Sequence, residues 1–470
     1  MTELSHRRRL LVLAICCMSL LIVSLDNTIL NVALPSMQKD FGASVSGLQW
    51  TIDAYLVVIA SLLLLAGSTA DRIGRRRVFR TGLVFFTAGS VLCSLAPSLG
   101  WLIAFRMVQA VGGSMLNPVA MSIITNTFSD PRERARAIGV WGGVVGISMA
   151  AGPIVGGALV QSVGWRSIFW INLPIGLLAL LLTTLYIPES RAPRARRVDP
   201  VGQILVIALL GSLTYGIIEG AGAGWTSPLI IGCFTVTVAA VAALTRYEKR
   251  RTDPLIDMRF FRSVPFSGAT VIAVSGFAAL GGFLFLNTLY LQNERGLSAL
   301  DAGLYMVPMA LMCLVFAPIS GRLVGNRGPR LSLVLAGTAM TASGLLFAAL
   351  DAQSSNALLF TSYVLFGIGF GLVNAPITNT AVSGMPRAQA GVAAAVASTS
   401  RQVGQSLGVA VVGAVLAAGL HTAAWWVVTG CGVSVLVLGT LTTGRWARGT
   451  AERAAGLLAS EDTRIPVSTS

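Results

Sequence analysis

The sequence predicts an all-α membrane protein with many transmembrane helices, and three observations carry that prediction. Of 470 residues, 54% are hydrophobic and only 11% are charged, whereas soluble domains carry about 25% charged residues. The apolar residues form runs of the roughly 20 residues that a helix needs to cross a bilayer. The basic residues lie in short clusters between these runs. Lipid-facing surface needs no charge, so a bilayer explains a composition that a water-facing surface does not.

Fourteen apolar runs are long enough to span a membrane, and each must be a helix because lipid offers no partner to an unpaired backbone group. The first run follows Arg7, Arg8 and Arg9 and continues through Asp26 to Pro35. No A-x-A cleavage site follows it, so we predict a helix and not a signal peptide. The predicted spans are residues 10–34, 47–70, 78–97, 100–126, 137–160, 168–188, 201–219, 228–246, 265–291, 302–324, 331–350, 357–381, 389–419 and 424–444.

The distribution of basic residues predicts the orientation of these helices. With the first residue in the cytoplasm, 29 of the 34 lysines and arginines fall in inner segments. The outer loops hold only Lys39, Arg166 and Arg295, while Arg106 and Arg401 lie within helices. Positive charge is retained on the cytoplasmic side of membranes. We therefore expect both termini to be cytoplasmic.

A weak internal repeat predicts the domain organisation. The inner loop GSTADRIGRRR at 67–77 follows predicted helix 2, and GRLVGNRGPR at 321–330 follows predicted helix 10. Many secondary transporters consist of repeated halves around a central site. We predict a 6+2+6 arrangement: a six-helix bundle at 1–190, two inserted helices with linkers at 191–262, a second six-helix bundle at 263–446, and a cytoplasmic tail at 447–470.

The same residues disfavour several other classes of protein. The six cysteines lie in apolar runs without the histidine spacing of a metal site. A Walker A loop needs Gly-Lys-Ser/Thr, but Gln38 precedes Lys39 and Glu248 precedes Lys249. No paired nucleophile and base is evident. We expect no enzymatic activity, no nucleic-acid partner and no cofactor.

Several motifs occur in an order that is typical of one family. They are LDNTILNVALP at 25–35, the loop at 67–77, Arg106 with Gln109, the glycines and proline at 152–157, and GWRSIFWINLP at 164–174. With these motifs the sequence resembles the major facilitator superfamily, specifically its fourteen-helix drug:proton antiporter branch. The resemblance covers nearly the whole chain. Ala110 and Ser148 depart from it, since they stand where the family usually has glycine.

Asp26, Asp53 and Arg106 are the most informative charged residues, because intramembrane charge is costly and usually has a partner or a function. At about 1.5 Å per residue, Asp26 lies roughly 12 Å and the other two about 9 Å from the outer helix ends. We hypothesise that Asp26 or Asp53 couples transport to protons and that Arg106 tunes the pKa of that carboxyl. The alternative is a structural ion pair between predicted helices 1, 2 and 4.

The resemblance implies two gating elements. Asp71, Arg72, Gly74 and Arg75 form the inner-loop motif that acts as a gate latch in relatives. The second element combines Gly152, Pro153, Gly156 and Gly157, where proline kinks a helix and glycine allows close helix approach. We expect this segment to bend and to form a tight seam between the halves. The polar residues predicted to line a substrate cavity are Asn31, Gln109, Asn117, Asn374 and Arg401.

The resemblance implies proton-driven export of a small hydrophobic or cationic compound, such as a drug or antibiotic, by alternating access. The proton gradient supplies the energy, lipid surrounds the protein, and we expect a monomer in the cell membrane. Export of a natural metabolite, such as an amino acid, sugar or siderophore, is a second possibility. A receptor or scaffold that does not transport is a third, which Asp26, Asp71 and Gly152-Pro153 disfavour.

Overall fold

The computed structural model describes residues 5–192, 198–251, 254–351, 353–383, 385 and 389–462. All regular structure within these ranges is helical, which confirms the all-helical prediction for this part of the chain. Parts of the predicted 191–262 segment and of the 447–470 tail lie outside the described residues. So do five basic residues of the predicted inner segments, namely Arg194, Arg196, Arg197, Arg387 and Arg464.

The first bundle begins with a helix of 36 residues that is broken neither by Asp26 nor by Pro35. Short loops separate the helices. Ser44 caps the helix that begins at Val45, and Asp130 caps the one that begins at Pro131, because each side chain accepts a backbone N–H group. The helices are α1 His6–Phe41, α2 Val45–Ile73, α3 Arg75–Ser94, α4 Leu99–Thr127, α5 Pro131–Ser162, α6 Ser167–Trp170 and α7 Asn172–Tyr186.

The segment predicted to be inserted contains a helical hairpin that packs against helices from both sides of it in the sequence. Its helices are α8 Pro200–Ala223 and α9 Pro228–Glu248, and a 3-10 turn at Met258–Arg262 leads into the second bundle. Proline follows the capping residues Asp199 and Ser227, the usual arrangement at a helix start. Helix α8 packs against α2 of the first bundle and against α15 of the second.

The second bundle contains two interrupted helices. Helix α10 Val264–Leu289 ends in a π turn at Tyr290–Glu294, and a break at Met306 separates α11 Ala299–Tyr305 from α12 Val307–Arg327. The remaining helices are α13 Pro329–Ala348, α14 Asn356–Val382, α15 Ala390–Ala417, α16 His421–Leu441 and the amphipathic α17 Arg445–Asp462.

Twelve helical segments of the described chain are long and apolar enough to cross a membrane. Helices α6 and α7 together make one of them, and α11 with α12 makes another. Helices α3 and α15 coincide with predicted spans 78–97 and 389–419 but are not among the twelve. Three arginines open α3, and Arg401, Gln402 and Gln405 interrupt α15, so both helices are less apolar. The count of fourteen spans therefore stays a prediction.

The two bundles meet along two seams. Helix α2 packs on α15, and α5 packs on α11 and α12. We call the face where α1 begins at His6 the proximal face and the face where α1 ends at Phe41 the distal face. Helix α10 runs parallel to α15, with Val274 against Gly404 and Ala278 against Gly408. Helix α17 packs beside the start of α10, where its Thr450 hydroxyl accepts the Val264 N–H.

The distal ends of the bundles are joined by hydrogen bonds. The Gln49 amide donates to the carbonyls of Val409 and Ala410, at 3.0 and 2.8 Å. The Gln292 amide donates to the carbonyl of Val32 at 2.9 Å. By contrast, Thr378 and Asn379 of α14, which lie toward the proximal face, are exposed. The halves are thus closed at the distal face.

Candidate functional site

A buried ion pair lies inside the first bundle. Arg106 of α4 is fully buried, and its Nη1 lies 2.5 Å from Oδ2 of Asp26 on α1. The other carboxylate oxygen, Oδ1, accepts from the amides of Gln109 at 2.9 Å and Asn172 at 3.0 Å. Both charges therefore have close partners, as a buried pair requires.

Further side chains hold this ion pair in place. Arg106 stacks 4.0 Å from the ring centre of Tyr55 and donates through Nε to the carbonyl of Thr51. Asn172 also donates to Ser90, whose hydroxyl donates to the carbonyl of Phe169. Helices α1, α2, α3, α4, α6 and α7 all contribute, so the network ties the first bundle together.

Asp53 has the opposite environment. It lies on α2 with no exposed surface, and neither of its carboxylate oxygens has a hydrogen-bond partner among the described residues. Ser406 of α15 lies beside it, but the Ser406 hydroxyl is not within hydrogen-bond geometry of the carboxyl and has no other partner among the described residues. The carboxyl thus sits at the α2–α15 seam between the two bundles and not in the ion-pair network.

The residues predicted to line a substrate cavity fall into two groups. Asn31 donates to the carbonyl of Asn27 on its own helix, and Gln109 belongs to the Asp26 network. Asn117, Asn374 and Arg401 are partly exposed. Arg401 donates to Thr378 at 2.5 Å and lies 5.9 Å from the ring centre of Phe277.

The predicted proximal latch is bonded to the end of its own bundle. Asp71 accepts from the guanidinium of Arg75, with 2.9 Å to Nη2. Its carbonyl accepts from the backbone of Ala192. Gly74 adopts φ +123°, and an added Cβ there would lie 2.6 Å from Oε1 of Glu189. Glycine is therefore required at this turn, while Arg72 is exposed.

The glycines of α5 allow the close packing that their pattern predicts. A Cβ at Gly152 would collide with Thr28 of α1, and one at Gly157 would collide with the carbonyl of Ala299 on α11. On the facing helix, Gly303 packs equally closely against the backbone of Pro153. Helix α5 is thereby held between its own bundle and the second one.

Several residues of this site escape prediction from the sequence. Asn172, Ser90 and Gln49 are polar residues within or beside apolar runs, which is the signal that could have identified them. Ser406 carries a weaker signal, since serine is common in membrane helices. Within the described ranges, no three His, Cys, Asp or Glu side chains come together as metal ligands would.

Comparison with known proteins identifies the family. The family model described as Major Facilitator Superfamily matches residues 16–409. The chain belongs to the major facilitator superfamily. It is accordingly a transport protein and not an enzyme, and it is a multi-pass protein of the plasma membrane.

Named relatives within this superfamily are resistance and efflux proteins. The chain is 38% identical to "Multidrug resistance protein Stp" of Mycobacterium tuberculosis (strain CDC 1551 / Oshkosh), over 88% of the chain and 77% of that protein. It is 38% identical to "Tetracenomycin C resistance and export protein" of Streptomyces glaucescens, over 84% and 74%. These similarities support the drug-efflux branch that the motifs indicate.

Solved structures share the fold of this superfamily member at low sequence identity. A D-xylose–proton symporter superposes with a TM-score of 0.67 at 14% identity, covering 94% of this chain and 99% of that one. A bacterial homologue of the human lysosomal transporter Spinster, in an inward-facing and unoccupied conformation, gives 0.63 at 19% identity, covering 97% and 99%. The helical major-facilitator fold is thereby established.

Proposed function

We propose that this transporter is a proton-coupled antiporter that exports small hydrophobic or cationic compounds by alternating access. The observation that carries the proposal is the position of Asp53, a buried carboxyl without a hydrogen-bond partner at a seam between the two bundles. A buried charge without a partner is costly. The closed seam therefore favours the neutral, protonated carboxyl.

Asp53 has the properties that a coupling group needs. When water reaches the carboxyl, it stabilises the charged form, so a proton is released. Asp26 is less suited to this role, because its charge is already compensated by Arg106 and two amides. In this mechanism Asp53 carries the proton and the Asp26–Arg106 pair braces the first bundle.

The proposed topology has fourteen spans arranged as 6+2+6, in which α3 and α15 are added to the twelve long, apolar helical segments. The proximal face is cytoplasmic, in accordance with the basic residues that cluster there. In this topology the closed distal face excludes the exterior, and partly exposed Asn117, Asn374 and Arg401 stand toward the cytoplasm, where an exported compound enters. The working unit is a monomer surrounded by lipid.

The experiment has two stages. A resistance panel in a pump-deficient host, which includes natural metabolites such as amino acids, sugars and siderophores, identifies an exported compound. Proteoliposomes then measure its transport under an imposed pH gradient. We expect Asp53→Asn to abolish gradient-driven transport while exchange of the compound across the membrane persists. Full gradient-driven transport by Asp53→Asn would exclude Asp53 as the proton carrier.

A further inference from the structure

Helices α2, α8 and α15 pack against one another, and each carries buried polar atoms without a hydrogen-bond partner. Nearly all buried polar groups in proteins have a hydrogen-bond partner, and an exception often indicates an ordered water molecule. The atoms on these three helices include Asp53 Oδ1 and Oδ2 and Ser61 Oγ on α2, Gln203 Oε1 on α8, and Thr399 Oγ1, Gln402 Oε1 and Ser406 Oγ on α15.

The three residues of α15 form a row along one side of the helix. With about 100° of rotation per residue, Thr399, Gln402 and Ser406 fall within an arc of about 60°. Between the first and the last of them the helix rises by about 10 Å. Ser406 lies beside Asp53, and the row runs from there toward the proximal face, where α15 begins.

Ser406, at the distal end of the row, faces the seam and not the surrounding lipid. Ser406 and Val403 line a small cavity together with Val57 of α2 and Leu210 of α8. Helix α8 is also tied to α2 at both ends. The Gln203 amide donates to the carbonyl of Ser61 at 2.6 Å, and Glu219 accepts from the indole of Trp50 at 2.7 Å. Helix α8 thus covers the seam beside Ser61 and Ser406.

The row is closed at its distal end and open at its proximal end. Gln49 lies one turn before Asp53 and bonds to two carbonyls of α15, so the distal side is blocked. Ser406 is only 2% exposed, whereas Gln402 and Thr399 are partly exposed. Exposure therefore increases from Asp53 toward the proximal face.

The charged groups on the helices around Asp53 are bonded elsewhere. Arg106 of α4 pairs with Asp26, Glu219 of α8 accepts from Trp50, and Arg401 of α15 donates to Thr378. None of these bonds involves the Asp53 carboxyl. The uncharged side chains of the row are therefore the groups that can connect the Asp53 carboxyl with water.

We propose that this row is a water-filled proton path that connects Asp53 to the proximal face, with the inserted helix α8 as its outer wall. The inference rests on the proposed role of Asp53 as proton carrier. The carboxyl gives its proton to a water molecule held by Ser406. The proton then passes along waters held by Gln402 and Thr399 to the proximal solution and leaves a carboxylate at Asp53. Each hydroxyl or amide both holds a water and keeps lipid out.

Removing the polar atoms of the row should slow proton release without preventing binding of the transported compound. We expect Ser406→Ala and Gln402→Leu each to lower pH-driven transport by about fivefold, the effect of one lost hydrogen bond on a rate. Exchange of the compound without net proton movement should stay at the wild-type rate. The measurement compares pH-driven transport with exchange of the compound in the same proteoliposomes.

The matched control is Ser400→Ala. Ser400 is a buried serine on the same helix, but its hydroxyl already donates to the carbonyl of Val396. This variant should leave both modes of transport unchanged. If Ser406→Ala and Gln402→Leu kept wild-type pH-driven transport while Asp53→Asn abolished it, the path would be wrong and the proposed function would stand. If wild-type transport ignored the pH gradient, the proposed function itself would fail.

A second measurement does not depend on transport. In a variant that lacks the six native cysteines, the single substitutions Thr399→Cys, Gln402→Cys and Ala410→Cys are each treated with a small, charged thiol reagent from either side of the membrane. Cysteines at 399 and 402 should react from the proximal side at least about tenfold faster than from the distal side. The cysteine at 410, which lies behind Gln49, should react slowly from both sides. Equal reaction of position 402 from both sides, or none, would overturn the path.

Discussion

At the scale of single residues, two acidic side chains at similar depth have different surroundings. Asp26 accepts three hydrogen bonds, one of them from the guanidinium of Arg106. Asp53 accepts none from the described residues. The first carboxylate is stabilised by residues of its own bundle. The second is buried at the seam, so its surroundings depend on how the two bundles meet there. This contrast is the basis for proposing a structural role for Asp26 and a coupling role for Asp53.

The two residues should therefore respond differently to the same substitution. Asp26→Asn leaves Arg106 buried without a counter-charge, and breaking a buried pair costs about 3–5 kcal/mol. Asp53→Asn removes no pair and should cost less than about 1 kcal/mol. Thermal unfolding of the detergent-solubilised variants measures the difference as a large fall in unfolding temperature for Asp26→Asn alone.

A double variant controls for this prediction. Replacing Arg106 by methionine in the Asp26→Asn background removes the unpaired charge, so part of the lost stability should return. If Asp26→Asn and Asp53→Asn had equal unfolding temperatures, the assignment of Asp26 to a structural pair would be wrong.

The sequence locates these charges in depth but not around the helix axis. Counting residues places Asp26, Asp53 and Arg106 in one layer, because each residue adds a fixed rise. Which of them meet depends on how α1, α2 and α4 rotate and pack, and that depends on side chains from other helices such as Asn172 and Tyr55. The pairing of Asp26 with Arg106, and the isolation of Asp53, therefore require the structure.

At the scale of helices, α5 depends on glycine at the contact with the second bundle. A Cβ at Gly157 would meet the backbone of Ala299 and lie 2.7 Å from the Cα of Leu300. Backbone atoms cannot rotate away as a flexible side chain can. The glycine pattern of α5 thus predicts the close contact, although the sequence does not indicate that α11 is the partner.

Gly157→Ala should impair closure of the distal face. The added methyl group forces α5 and α11 apart, and overpacking of this kind costs about 1–3 kcal/mol. We expect gradient-driven transport to fall by about fivefold or more, the smallest effect that this cost implies. Gly142→Ala on the same helix is the matched control, since a Cβ there meets nothing within 4 Å. Equal transport by both variants would show that this contact does not limit the cycle.

Helix α15 illustrates why the span count is difficult to read from composition. Arg401, Gln402 and Gln405 make it less apolar than its neighbours, and one of them, Gln402, belongs to the row proposed beside Asp53. Helix α3 is less apolar for another reason, the arginines of the proximal loop at its start. Polar residues within α15 and basic residues at the start of α3 both reduce the hydrophobicity on which span prediction depends.

At the scale of the whole molecule, the family and the helical fold follow from features that many residues share. Low charge, repeated apolar runs and ordered motifs each involve long stretches of chain, so no single contact can alter them. The placement of the inserted hairpin is different. Its docking depends on a few local contacts, such as Gln203 with Ser61 and Trp50 with Glu219. The 6+2+6 pattern does not contain that information.

The fourteen-span topology is open to a direct test. If α3 crosses the membrane, Ser98 at the start of α4 lies on the distal, external side. If α15 also crosses, Gly419, which follows the end of that helix, lies on the external side as well. Single cysteines at these two positions, in a variant without native cysteines, should then react with an impermeant thiol reagent added to intact cells. A cysteine at Arg191 should react only after the membrane is opened. Should Ser98 or Gly419 be labelled only in opened membranes, the helix before it would not span, and the proposed orientation of every later segment would have to be reversed.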